Sequence, residues 1–164
     1  MSTILPVPIT FKLPDGWHAA APDKAGAPGA AFVALHPYPD AGFTANITID
    51  GEYRPDGSTL AQIADESVER LRQAVTSVEV RDRQEVGSAE APGLAQTLEI
   101  ATVAGGVDRD LVQSQVYLAL LDVADGTKRA VTRLVLTATA SQFPTVVGDF
   151  QEFMSTVRPD TDTA

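Results

Sequence analysis

Between Ser77 and Ala140 the sequence reads as four strand-like segments in succession, and this run constrains the fold more than any other feature of the chain. The segments span about Ser77–Val86, Leu94–Val103, Leu111–Val123 and Lys128–Ala140, and Asp125-Gly126 between the last two is a two-residue hairpin signal. In the third segment Val112, Val116, Leu118 and Leu120 share one side with Ser114, opposite Leu111, Gln113, Gln115, Tyr117 and Ala119. In the fourth, Ala130, Thr132, Leu134, Leu136 and Ala138 oppose Arg129, Val131, Arg133, Val135 and Thr137. Leu94, Leu98 and Ile100 oppose Ala95, Thr97, Glu99 and Ala101 in the second. An antiparallel sheet with one oily and one mixed face is the expectation.

Two helical stripes bracket the run. Leu60, Ile63, Ala64, Val68, Leu71 and Val75 recur at helical spacing, with Asp65, Glu66, Glu69, Arg70, Arg72 and Gln73 on the solvent side. Thr59 with Gln62 fits a capping box. Phe143, Val146, Val147, Phe150, Phe153, Met154 and Val157 mark a second helix, with Pro144 in its first turn.

The first third is turn-rich. Thr10–Leu13, Trp17–Ala19 and Ala31–Leu35 read as short strands, residues 20–30 as a loop, and Phe43–Tyr53 as a longer strand with Ala45, Ile47 and Ile49 on its apolar side. These elements make one α+β domain over residues 1–159, a twisted antiparallel sheet packed with two main helices, followed by a disordered tail at 160–164.

Chemistry is sparsely signalled. With no cysteine, disulfides and thiolate chemistry are excluded. Neither His18 nor His36 sits in a metal-ligand spacing, and no Gly-x-Ser-x-Gly elbow accompanies them, so no catalytic residue, metal ligand or cofactor is assigned. A net charge of −10 argues against nucleic acid and anionic membranes as partners. No stretch approaches the length of a transmembrane helix and residues 1–8 lack the pattern of a secretory signal, so a cytoplasmic location is expected.

The mixed sheet face is the candidate recognition surface. It gathers Asn46, Thr48, Thr97, Glu99, Gln113, Gln115, Tyr117, Arg129 and Arg133, residue types suited to reading a protein or peptide partner, and Tyr38 between two prolines adds an exposed contact near His36 and Phe43. The expectation is a non-enzymatic binding or adaptor module, dimeric through an open sheet edge or face. The alternative is a small-ligand binder or weak hydrolase with a pocket near His36, beside the loop at 20–30. Trp17 is expected to plug the core.

The segments Phe11-Lys12-Leu13-Pro14-Asp15-Gly16-Trp17, Asn46-Ile47, Asp56-Gly57-Ser58 and the closing Phe143…Asp149-Phe150…Phe153-Met154-Ser155…Arg158-Pro159 together resemble the PsbP-like α/β sandwiches, including the LpqN and DUF1795 families. The resemblance runs from about Thr10 to Pro159 and implies an antiparallel sheet flanked by helices. It also implies a binding, assembly or chaperone-like role, as in DUF1795 adaptors that hold hydrophobic segments of secreted effectors. The lipobox cysteine of LpqN-type members is absent, and no functional residue carries over.

Overall fold

A computed structural model describes residues 9–24, 29–54, 57–87, 92–104, 106–121 and 129–159. In chain order the elements are β1 (Ile9–Thr10), β2 (His18–Ala20), β3 (Phe32–Leu35), β4 (Asn46–Tyr53), α1 (Leu60–Ala74), β5 (Ser77–Gly87), β6 (Pro92–Ala104), β7 (Val107–Leu121), β8 (Arg129–Thr139), α2 (Phe143–Thr156) and β9 (Arg158–Pro159). Seven strands form one antiparallel sheet in the order β2-β3-β4-β8-β7-β6-β5, and β1 pairs with β9 apart from it. The Asp125-Gly126 turn, residues 25–28 of the loop and the 160–164 tail lie outside the described residues.

Strand order dictates where α1 must lie. The chain leaves the sheet at β4 and re-enters at the β5 edge, four strands away, a distance of about 19 Å at ordinary strand spacing. The 15 residues of α1 supply about 22 Å, enough to carry the chain diagonally across one face. Thr59 starts the helix through the expected capping box: Gln62 N–H donates to its hydroxyl at 3.1 Å, and its own N–H donates to Gln62 Oε1 at 2.8 Å. Ile63 and Ala64 then pack on Leu94, Tyr117 and Val131, and Val68 packs on Val78, Leu98, Ile100 and Leu111.

Helix α2 follows β8 and folds back on the opposite face. Val146, Phe150, Phe153 and Val157 meet Ala34, Ile47, Ile49, Leu134, Leu136 and Ala138 to form the main core, joined by Trp17. Trp17 is buried, and its Nε1–H donates to Asp149 Oδ2 on α2 at 3.0 Å. Each helix covers half of its face. On the α1 side the covered half is β5–β7; on the α2 side it is β3–β4–β8.

Several details differ from the sequence reading, among them the start of β7 at Val107 instead of Leu111. The Thr10–Leu13 strand shrinks to two residues, because the Lys12 N–H donates to Thr156 Oγ1 at the end of α2 and Phe11 and Leu13 pack on the core. The long strand begins at Asn46 instead of Phe43, since Ala41 (φ 51°) and Gly42 (φ 82°) make a tight turn closed by an Asp40–Phe43 bridge. Register slips between Val80 and Asp82, leaving Arg81 as an extra residue in β5.

Candidate functional site

Register, which periodicity within a strand cannot supply, decides which side chains share a face. Gln113, Gln115 and Tyr117 on β7 align with Thr137, Val135 and Arg133 on β8, and these with Asn46, Thr48 and Asp50 on β4. Thr97 and Glu99 instead align with Ser114 and Val112, which places both on the opposite, α2 side. Glu99 therefore does not belong to the surface formed by Gln113, Gln115 and Tyr117.

Nor is that surface open. Gln96, Gln115 and Tyr117 are only 1–2% exposed, because α1 lies over them. Their polar atoms are spent on one another. Arg83 Nε and Nη2 donate to Gln96 Oε1 at 3.0 and 2.7 Å; Gln96 Nε2 and Tyr117 Oη both donate to Gln115 Oε1 at 2.7 Å; Gln115 Nε2 donates to Gln113 Oε1 at 2.8 Å. A buried amide chain of this kind ties helix to sheet, since each member left alone would carry the full cost of desolvation.

The arginines are similarly engaged. Arg133 donates to Asp50 Oδ2 at 2.7 Å and to Ser67 Oγ on α1 at 3.3 Å. Burial pulls its pKa down, but the charge of Asp50 and its hydrogen bond outweigh this and hold the guanidinium above its ordinary range. Arg129 donates through Nε to the Arg54 carbonyl and through Nη2 to that of Ser58, fastening the entry to α1. Asn46 donates to the Thr44 carbonyl at 3.1 Å. Gln115 and Tyr117 thus lie in a polar seam beneath α1 and are not open to a partner, while Asn46, Thr48, Gln113, Arg129 and Arg133 are half-buried beside it.

Burial pushes the Tyr117 hydroxyl up from its ordinary value of 10.0. The folded chain keeps this proton where an unfolded tyrosine loses it, so the stability Tyr117 contributes is complete below about pH 10 and declines as pH rises beyond it. Tyr117→Phe is expected to flatten the alkaline limb of stability above about pH 10, measured by urea unfolding at fixed salt. An unchanged alkaline limb would show that Tyr117 does not titrate on unfolding.

Tyr38 stands apart, 72% exposed on the loop after β3, with its carbonyl accepting from Gln142 Nε2 at 3.0 Å. His36 Nδ1 contacts the Tyr38 backbone, and its ring meets the Trp17 ring edge-on at 5.2 Å. His18 is exposed on β2. A cavity of about 280 Å³ does lie beside Gly29, between α1 and β4–β8, lined by Asp50, Ser67, Arg70, Tyr117 and Arg133. Neither histidine lines it, so the pocket expected near His36 is displaced from both imidazoles. Among the described residues no group of three His, Asp or Glu side chains could hold a metal ion.

A larger concavity is on the other side of the sheet. α2 leaves β5–β7 only partly covered on its own face, and between them runs a groove of about 880 Å³. Val86, Ala95, Val116, Leu118 and Leu120 make its floor, and Val147, Phe150 and Met154 of α2 make one wall. Val86, Ala95, Leu118, Val147 and Met154 are each only partly buried, so apolar surface stays accessible along its length. Gly93 lets the floor close here, because a Cβ would stand 3.0 Å from the Tyr117 carbonyl and from Leu118 Cδ2. The signal for this groove was present as the apolar residues at 112–120, but which of them α2 covers depends on strand order.

No family model and no curated protein matches the sequence. Solved structures do match the fold. The chain is similar to LpqN of Mycobacterium tuberculosis, which is involved in cell envelope biogenesis, at TM-score 0.66 and 13% identity over 94% of this chain and 86% of LpqN. It is similar to the Ran-binding protein Mog1p of Saccharomyces cerevisiae, at TM-score 0.57 and 16% identity over 92% and 89% of the two chains. Cyanobacterial PsbP from Synechocystis sp. PCC 6803 superposes at TM-score 0.54 with 18% identity over 92% and 86%. The fold is PsbP-like, an α+β arrangement of one antiparallel sheet and two helices.

Proposed function

We propose that this chain is a protein-binding module that holds an apolar segment of a partner in the groove between α2 and β5–β7. The observation that carries the reading is the half-covered sheet face itself: Val86, Leu118, Val147 and Met154 present apolar surface along a concave track. A non-enzymatic binding or adaptor role is loosely compatible with the Ran-binding activity named for one fold neighbour, and holding a hydrophobic segment is what the DUF1795 resemblance implies.

Anisotropy of a fluorescently labelled apolar peptide tests it. Wild type is expected to bind, and Val147→Asp and Met154→Asp, on the accessible wall of α2, are each expected to weaken binding about tenfold, since a carboxylate in an apolar contact must be desolvated. Because both side chains also pack against the main core, binding is measured below each variant's own urea midpoint, where it is folded. Absence of binding, or variants that bind like wild type, refutes the groove as the site.

A further inference from the structure

We infer that the segment taken by this groove is cationic: an apolar stretch of a partner protein that continues into lysines or arginines. The inference rests on the reading of the groove given above and adds the chemistry of its occupant.

Along β7 the α2-side face is read at Asp110, Val112, Ser114, Val116, Leu118 and Leu120, a track of about 34 Å at strand rise in which Val112, Val116 and Leu120 are buried and Asp110, Ser114 and Leu118 are accessible. Its two halves differ. The rows containing Val116 and Leu118 include Ala95 and Val86, whereas the rows at the other end include Asp82, which lines the groove, and Glu79, Glu99 and Asp110, which line a second concavity on the same face; all four are exposed. Among the described residues one cation meets these four carboxylates, Arg81 at 3.0 Å from Glu99. α2 itself carries no lysine or arginine, and Arg158 just beyond its end is the one cation lining the groove among the described residues.

Glu79 and Glu99 stand directly opposite each other across β5 and β6, a like-charge pair that works against the sheet. A partner's cation over that pair would relieve the repulsion. The carboxylates are too dispersed for a single metal ion, and no cluster that could hold one is present among the described residues. Spread over successive rows about 7 Å apart, they match the spacing of alternate side chains in an extended peptide. The same charge repels anionic lipid and a second copy of this face.

Three labelled twelve-residue peptides with a common apolar half, and Lys, Gln or Glu in the other half, test the inference. The Lys peptide is expected to bind wild type about tenfold more tightly than the Gln peptide, two or three exposed ion pairs compounding to that factor. Its advantage should shrink as salt rises and vanish in the variant Glu79→Gln, Glu99→Gln, Asp110→Asn, which still binds the Gln peptide. Equal binding of the Lys and Gln peptides, with Val147→Asp weakening both, overturns the charge inference and leaves the groove standing. Failure of all three peptides to bind overturns the groove with it. Co-sedimentation with phosphatidylglycerol vesicles, absent with phosphatidylcholine, would replace the basic peptide by an anionic membrane.

Discussion

Trp17→Ala is expected to cost about 3–5 kcal/mol of folding stability, the range for truncating a large buried aromatic. The indole lies in the main core with Ile47, Leu134 and Phe150, and it also closes the hydrogen-bonding capacity of its site, since Nε1–H donates to Asp149 Oδ2. Alanine leaves a cavity that the flanking segment cannot fill, because the Trp17 N–H is already fixed to the Pro14 carbonyl at 3.2 Å. Phenylalanine keeps most of the apolar contact and forfeits the hydrogen bond, so Trp17→Phe should lose roughly 1–2 kcal/mol. Urea unfolding followed by far-ultraviolet circular dichroism measures both, as the sole tryptophan is the residue removed. A loss below about 1 kcal/mol for alanine would mean that Trp17 is a surface cover and not a core element.

The second large effect is expected at Gln115. Leucine fits its volume, yet Gln115→Leu deprives Gln96 Nε2, Tyr117 Oη and Gln113 Oε1 of a partner at once. With Gln96 and Tyr117 almost fully buried, the cost is about 3 kcal/mol, at a site where an apolar residue would ordinarily be welcome. Gln96→Leu alone costs less, because Arg83 keeps Asp65 Oδ1 at 2.8 Å and Gln115 keeps its bonds with Tyr117 and Gln113. Making both changes removes both ends of their hydrogen bond, so the double variant should cost about 1 kcal/mol less than the two single losses together. Strict additivity would show that the amide chain is not cooperative.

Much of the fold is legible in the sequence. The stripe from Leu60 to Val75, the Thr59–Gln62 cap and the terminal aromatic helix each follow from local chemistry, and the structure contains all three. Side-chain parity within each long strand is also correct. What escapes a linear reading is the pairing between strands. Thr97 and Glu99 look like companions of Gln113 and Gln115, but antiparallel register sets them opposite Ser114 and Val112, and a single residue's offset sends a side chain to the other face.

The same gap misplaces the candidate site. Gln115 and Tyr117 look like surface chemistry because nothing in their neighbourhood of sequence announces that α1, 40 and more residues earlier, will cross above them. Covering each face by half places the apolar track beside α2, where the sequence pattern shows only an oily face destined for the core. Tyr38 is the exception: its two flanking prolines exclude it from a strand, and it is exposed.

The slip between Val80 and Asp82 bears on how the molecule behaves in company. β5 is an 11-residue strand at the end of the sheet, with no sheet neighbour on one side of its backbone among the described residues, the arrangement that most readily recruits a stray strand into an amyloid-like stack. The extra residue breaks the even repeat that such a stack requires, and Glu79, Arg81, Asp82, Arg83 and Glu85 set charge along the remainder. A chain with an accessible apolar groove is thereby guarded against polymerising with itself.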